Sequence, residues 1–227
     1  MRVVVIQFPG SNCDQDCLRA FRDALGVESR MMWHKDTEIA PDETIIVPGG
    51  FSYGDYLRCG AIARFSPVMK AVQAAAERKQ TILGICNGFQ ILCESGLLPG
   101  ALVRNRDLHF ICEPVTLKVE NSRTHLTRHT RDGELLQIPI AHGEGNFRAD
   151  QSTLVEMEEF GQILFRYANA EGTVSEESNP NGSVGNIAGI CNKEGTVFGM
   201  MPHPERAAEA LLGSTDGLVL LKSLLNL

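Results

Sequence analysis

The chain has 227 residues, of which 43% are hydrophobic and 22% charged. This balance is that of an average folded domain and excludes a disordered chain, because there is enough apolar surface to offset chain entropy. With 21 basic residues against 28 acidic ones the net charge is −7. That argues against nucleic acid as the main partner, since phosphate is held by clustered Lys and Arg.

Cys13, Cys17, Cys59, Cys86, Cys93, Cys112 and Cys191 are odd in number, irregularly spaced and without a CxxC pair. They make a poor disulfide framework and no zinc ribbon. Residues 1–6 are strand-like and too short for a signal-peptide core, and no apolar run approaches the ~20 residues of a membrane span. The expectation is a cytoplasmic protein with reduced thiols, away from membranes. Asn181-Gly182-Ser183 matches a glycosylation sequon, which in that compartment reads only as a turn.

In chain order, residues 3–8 are a continuous β-branched run, the mark of a strand buried on both faces. Pro9-Gly10-Ser11-Asn12 breaks it, and Ser11 or Asn12 is placed to cap a helix over 14–25 that ends at Gly26. Residues 44–47 form a second buried strand, 67–79 an Ala-rich helix, and 81–85 a third strand with a helix starting directly behind it at 88–93. Alternation of this kind predicts βαβ units on a parallel sheet with right-handed crossovers. The second half differs. Strand-like runs fall at 111–119, 135–140 and 162–167. Runs at 187–191 and 196–200 flank the hairpin turn Asn192-Lys193-Glu194-Gly195, and a last helix covers about 218–225. Without a repeat or linker, residues 1–227 are expected to form one α/β domain. Its central sheet is mostly parallel and flanked by helices, with additional antiparallel strands in the second half.

The segment richest in chemistry is Gly84-Ile85-Cys86-Asn87-Gly88-Phe89-Gln90. Strand, G-x-C-x-G, then helix is the nucleophile-elbow pattern with Cys in place of Ser. The nucleophile sits in a strained turn, and its neighbours two positions away must lack a Cβ so that the chains can pass closely. The helix behind Cys86 directs its dipole and free N–H groups at it, which favours negative charge there. The Asn87 N–H is placed to donate to an oxyanion. The other six cysteines read as buried structural residues.

A nucleophilic thiol needs a proton carrier. Among six histidines, His203 stands out in Met201-Pro202-His203-Pro204-Glu205-Arg206. Pro204 forces His203 into an extended conformation, where side chains two apart share a side. Glu205 can then orient the imidazole, as in other triads. Pro48-Gly49-Gly50-Phe51 follows a strand near that of Cys86, and a Gly-Gly loop there can turn a second N–H toward the reacting carbonyl. His125 and His129 are spaced i, i+4 without a third metal ligand and read as a solvated loop; no metal site is expected. His142, in Ala141-His142-Gly143-Glu144-Gly145, ranks second as a base. Tyr53, Asp55, Tyr56 and Arg58 make a polar loop suited to substrate or partner contact.

Together, the G-x-C-x-G-x-Q segment and Pro202-His203-Pro204-Glu205 resemble the class I (triad-type) glutamine amidotransferases. The resemblance covers the whole chain and implies Cys86 as nucleophile, His203 as base and acid, and Glu205 as orienter. It also implies an oxyanion hole from Gly50 with Asn87, Gly49 not being separated from Gly50, and Gln90 at the amino-acid end of the substrate. The implied reaction converts the side-chain amide of L-glutamine through a cysteinyl thioester to glutamate and ammonia.

Phe8-Pro9-Gly10-Ser11-Asn12-Cys13-Asp14, Gly50-Phe51-Ser52-Tyr53-Gly54-Asp55-Tyr56 and the His-Gly-Glu-Gly segment are similar to one branch of that family, a free-standing glutaminase subunit serving purine biosynthesis. That likeness implies no cofactor on this chain. Its partner would be a large synthetase subunit that uses ATP and magnesium to convert formylglycinamide ribonucleotide to the amidine, with a small accessory subunit. The absence of a P-loop motif agrees with that division of labour. The alternatives are a stand-alone cysteine hydrolase, a glutaminase of another amidotransferase complex, and a non-catalytic scaffold. The last would lack a triad member.

Overall fold

Continuous β-branched runs alternating with amphipathic helices build one half of the molecule. In the computed structural model, which describes residues 2–227, these are β1 (Arg2–Gln7), α1 (Asp14–Arg19), β2 (Ser29–Trp33), β3 (Glu43–Val47), α2 (Pro67–Glu77), β4 (Ile82–Ile85) and α3 (Asn87–Glu94). The other half contains β5 (Ala101–Val103), β6 (Ile111–Val119), β7 (Leu135–His142), β8 (Asn146–Arg148), α4 (Gln151–Glu159), β9 (Ile163–Ala168), β10 (Ile187–Cys191), β11 (Val197–Met200) and α5 (Asp216–Leu225).

A nine-stranded sheet runs β2-β1-β3-β4-β11-β10-β9-β6-β7, and β5 pairs separately with β8. The block from β2 to β11 is parallel; from β11 outward every pairing is antiparallel. This is the expected α/β arrangement. β3 and β4 are buried along their whole length, through the apolar runs Ile45–Val47 and Ile82–Ile85, with Glu43 at the start of β3 buried against Arg30. Helix α2 begins with Pro67 in its first turn and turns Val68, Met69, Val72 and Ala75 inward. Among the described residues no helix is long and apolar enough to cross a membrane.

Register places the chemistry. Val47 of β3 lies opposite Gly84 of β4, and Gly84 lies opposite Gly199 of β11. The three strands therefore end level. The segments that follow them carry Gly49–Gly50, Cys86 and His203 to the same edge, the carboxyl end where open α/β sheets place their ligands.

Several elements depart from expectation, among them the short pair β5 and β8, which the sequence does not signal. The helix expected over 14–25 is regular only to Arg19 and continues as a π-type turn over Ala20–Ala24, which keeps Phe21 buried. β2 is absent from the sequence reading because only Met32 of its five residues is buried; it is an edge strand with a weak pattern. Helix α4 is also absent from that reading. It buries only Met157 and is held at its start by Asp150, whose Oδ1 accepts the Thr153 N–H at 2.8 Å.

Candidate active site

Cys86 follows β4 with φ +50° and ψ −107°, a conformation that costs a non-glycine residue on the order of 1–3 kcal/mol and persists only where packing enforces it. The packing is visible around it. A Cβ on Gly88 would lie 1.8 Å from the Val47 carbonyl oxygen, and one on Gly84 would lie 2.7 Å from the Gly88 backbone. The strand–helix crossing closes only because both are glycine. The Cys86 N–H donates to the Met200 carbonyl at 2.8 Å, tying the elbow to β11. Helix α3 starts at Asn87, so its first amides are free of intrahelical bonds and face Cys86.

His203 follows β11 and is 1% exposed. Its N–H donates to the Pro139 carbonyl at 2.8 Å, fixing the backbone. Nδ1 donates to Glu205 Oε1 at 2.7 Å, across the two-residue spacing expected of an extended segment. Burial disfavours the charged ring, but the Glu205 carboxylate and then the charge of Cys86 outweigh it and hold the imidazole well above its ordinary pKa. The Cys86 and Cys13 thiols both lie beside the ring, while buried Nε2 has no aligned hydrogen-bond partner, the disposition of a nitrogen kept for a reacting group.

Cys86 opens into a cavity of about 210 Å³ lined by Gly50, Phe51, Gln90, Ala141 and Glu144 among others. Of the two loop glycines only Gly50 lines it. Gly50 has φ +144°, and a Cβ there would meet the Asn12 nitrogen at 2.8 Å. Gly49 instead lies against the His203 ring and the Cys13 thiol. Asn87 braces the loop after β3: its Oδ1 accepts the Ser52 N–H at 3.2 Å, and its Nδ2 donates to Gln90 Oε1 at 2.9 Å. Gln90 Nε2 donates to the Glu144 carbonyl at 2.6 Å, joining α3 to the loop after β7. Wider surface grooves of about 780 and 730 Å³ lie elsewhere; neither holds a cysteine or histidine.

The geometry separates the two candidate bases. His142 lines the cavity, but both ring nitrogens are engaged, by Asn105 Oδ1 at 3.2 Å and Asn181 Nδ2 at 3.5 Å. Burial, helped by the charge of His203, lowers its pKa to about 4, so the ring is neutral. His125 and His129 are exposed in a turn, as expected.

Several expectations need correction. Asn181 is not merely a turn residue. It is fully buried and donates to the Gly145 carbonyl at 2.9 Å behind the site. No pattern in the sequence signals it, since Asn is common in loops. Of the cysteines read as buried, Cys112 is exposed and Cys93 half-buried; Cys112 lies in a stretch of β6, residues 112–114, that is exposed on both faces. Cys13 is buried but belongs to the site. Its Sγ accepts from Arg206 Nη2 at 3.2 Å, and one donor atom each from Cys13, His203 and Glu205 lie within 4.8 Å of one another. These are ligand types that could hold a thiophilic metal, but the adjacent guanidinium opposes a cation. Cys59 lines the cavity beside Asp55 and Glu144.

Comparison with known proteins agrees with this geometry. A family model described as the CobB/CobQ-like glutamine amidotransferase domain matches residues 1–215. The phosphoribosylformylglycinamidine synthase subunit PurQ of Acaryochloris marina is 57% identical over 226 residues, 100% of this chain and 96% of that protein. The protein of the same name from Moorella thermoacetica is 56% identical, with the same coverage. A chain in the structure of PurLQS from Thermotoga maritima superposes with a TM-score of 0.88 at 44% identity, covering 99% of this chain and 97% of that one. A glutamine amidotransferase from Thermotoga maritima, at 16% identity and a TM-score of 0.56, shares the fold alone. With the model spanning the whole sheet and the curated relatives matching end to end, the chain belongs to the family of CobB/CobQ-like glutamine amidotransferase domains.

Proposed function

We propose that this chain is the glutaminase subunit of a phosphoribosylformylglycinamidine synthase, and that residues 1–227 act as one amidotransferase domain. The carrying observation is a buried cysteine on a strained strand–helix turn, opening into a small cavity, beside a buried His203–Glu205 pair. Cys86 attacks the side-chain amide carbon of glutamine. His203 takes the thiol proton and delivers it to the leaving nitrogen, so ammonia departs and a glutamyl thioester remains. The tetrahedral oxyanion is held by the N–H groups of Asn87 and Gly50. Water, deprotonated by His203, then cleaves the thioester to glutamate and restores the thiol. Glu205 fixes the tautomer and stabilises the imidazolium. Gln90 braces the amino-acid end of the pocket.

The ammonia passes to a large synthetase subunit that binds ATP and magnesium and converts formylglycinamide ribonucleotide to the amidine, with a small accessory subunit completing the complex. The full-length likeness to PurQ and to a PurLQS chain supports this reading. This chain works without a cofactor of its own, in the cytoplasm, on a free amino acid.

The test is Cys86→Ala in the assembled complex. Glutamine-dependent synthesis should vanish while synthesis from added ammonia persists. A chloroketone analogue of glutamine should label Cys86 in the parent protein, and labelling of Cys13 instead would reassign the nucleophile.

A further inference from the structure

Gly50 offers its N–H from a loop that glycine alone does not fix, since the backbone at φ +144° turns there at little steric cost. What aims the N–H lies in its neighbours. The Gly49 carbonyl accepts the Cys13 N–H at 3.3 Å, and in a planar trans peptide the Gly50 N–H then points the opposite way. Beyond Gly50 the chain runs beside the turn after β1. The Phe51 N–H donates to the Gly10 carbonyl at 3.0 Å and the Tyr53 N–H to the Pro9 carbonyl at 2.6 Å, while the Ser52 N–H reaches Asn87 Oδ1 at 3.2 Å.

Tyr53 closes this run at φ +56° and ψ +25°, a conformation that a bulky side chain rarely adopts and that persists only where its surroundings enforce it. Its side chain shows what does so. Tyr53 is not among the residues that line the cavity. Its hydroxyl lies 2.8 Å from His34 Nδ1 and 2.8 Å from Ser66 Oγ, and its ring meets the His34 ring edge-on, with centroids 5.6 Å apart. Both partners are themselves fixed. The His34 N–H donates to the Gln7 carbonyl at 2.9 Å, and the His34 carbonyl accepts the Val68 N–H of α2 at 3.0 Å. Ser66 stands at the N-terminal cap of α2, where a serine hydroxyl ordinarily accepts a helix N–H. Here it makes no such bond and serves Tyr53 instead. The loop after β3 is thereby tied to β1, β2 and α2 at once.

We propose that Tyr53 is a positioning residue for the reaction: anchored by His34 and Ser66, it holds residues 50–53 so that the Gly50 N–H meets the amide oxygen of glutamine as that oxygen takes on negative charge. This assignment rests on the glutaminase reading above. A donor aimed at the oxyanion acts in the transition state and not on the bound substrate, so slackening it lowers kcat and leaves KM.

The experiment uses the complex with the synthetase subunit and the variants Tyr53→Phe and Ser66→Ala, each of which removes one hydroxyl. The first readout is kcat and KM for L-glutamine. The second is inhibition by the γ-aldehyde of glutamate. There the Cys86 sulfur bonds to the aldehyde carbon, the carbonyl electron pair moves to oxygen and takes up the thiol proton, and the tetrahedral adduct places that oxygen at the oxyanion position. The third is alkylation of Cys86 by iodoacetamide, in which sulfur displaces iodide and no oxyanion forms. Tyr53→Phe should lower kcat by about 10–100-fold, up to the loss expected of a misplacement of about 1 Å, with KM unchanged. The aldehyde should bind more weakly by a similar factor, and alkylation should keep its rate. Ser66→Ala should follow with smaller losses. An unchanged kcat, a rise in KM in place of a fall in kcat, full aldehyde affinity, or alkylation that falls in parallel with kcat would each overturn the assignment. Should Tyr53→Phe fail to fold, Ser66→Ala is judged by the same outcomes. A parent complex that neither hydrolyses glutamine nor binds the aldehyde would overturn the glutaminase reading and this assignment with it; an active parent with indifferent variants overturns the role of Tyr53 alone.

Discussion

Two opposing effects meet at His203: burial disfavours its charged form, and the Glu205 and Cys86 charges favour it. In the proposed mechanism the ring accepts the thiol proton. On that proposal, replacing it removes the proton carrier, while replacing Glu205 removes only orientation and counter-charge. His203→Asn should lower glutamine-dependent turnover by about 10²–10⁴-fold, and Glu205→Gln by clearly less, in a steady-state assay of the complex. His142 works in the opposite sense. Its folded pKa, about 4, lies below the ordinary histidine value. As pH falls below that ordinary value the unfolded chain binds a proton that the folded chain refuses. The contribution of a neutral His142 to stability is thus present above that pH and is lost as pH falls toward 4. His142→Gln should flatten the decline of chemical-denaturation stability between pH 6.5 and 4, and an unchanged slope would show that His142 does not couple to folding.

The elbow formed by β4 and α3 is a packing solution before it is a catalytic one. Gly84, Gly199 and Gly88 let α3 lie directly against β3, β4 and β11, and a methyl at Gly88 has nowhere to go, with the Val47 carbonyl 1.8 Å from it. Gly88→Ala should destabilise by about 3 kcal/mol or more, the upper range for overpacking. At about 2–4 °C per kcal/mol for a chain of this size, calorimetry should show a drop of roughly 6–12 °C. Cys86 should also lose labelling rate, because the turn that strains it can no longer close. The loop after β3 is strained as well: Tyr53, Asp55 and Leu57 all have positive φ. Tyr56 and Leu57 are 75% and 82% exposed. Strain and exposed apolar groups beside the cavity make this loop the element best able to change on docking.

For the molecule as a whole, the site is assembled at one sheet edge from segments far apart in the chain: the loops after β3 and β7, the β4–α3 elbow, and the turn after β11. Misplacement of any one by about 1 Å can cost roughly 10²-fold in rate. Glutamine hydrolysed without a synthetase would release its ammonia to water. The isolated chain is therefore expected to be a poor glutaminase that docking activates. Hydrolysis rates per labelled Cys86, for the chain alone and in the assembled complex, check this. Equal rates would mean the site is complete in the free chain.

Much of this was legible in the sequence, for a local reason. The elbow, the Pro-His-Pro-Glu turn and the buried strands β1, β3 and β4 are written in consecutive residues, because strain, close approach and unbroken burial each restrict what a single position tolerates. The hydrogen bond from His203 to Glu205 needed only two-residue spacing in an extended segment. What the tertiary structure alone decided depends on distant partners. Asn181 looks like any turn asparagine until burial sets it against His142 and Gly145. Cys13 looks structural until the turn after β1, whose Cys13 N–H is bonded to the Gly49 carbonyl, sets it beside His203. That Gly50 and not Gly49 lines the cavity, and that Asp55 meets Glu144 across it, follow from sheet order and register. Those are set by packing summed over the whole core, so no single segment records them.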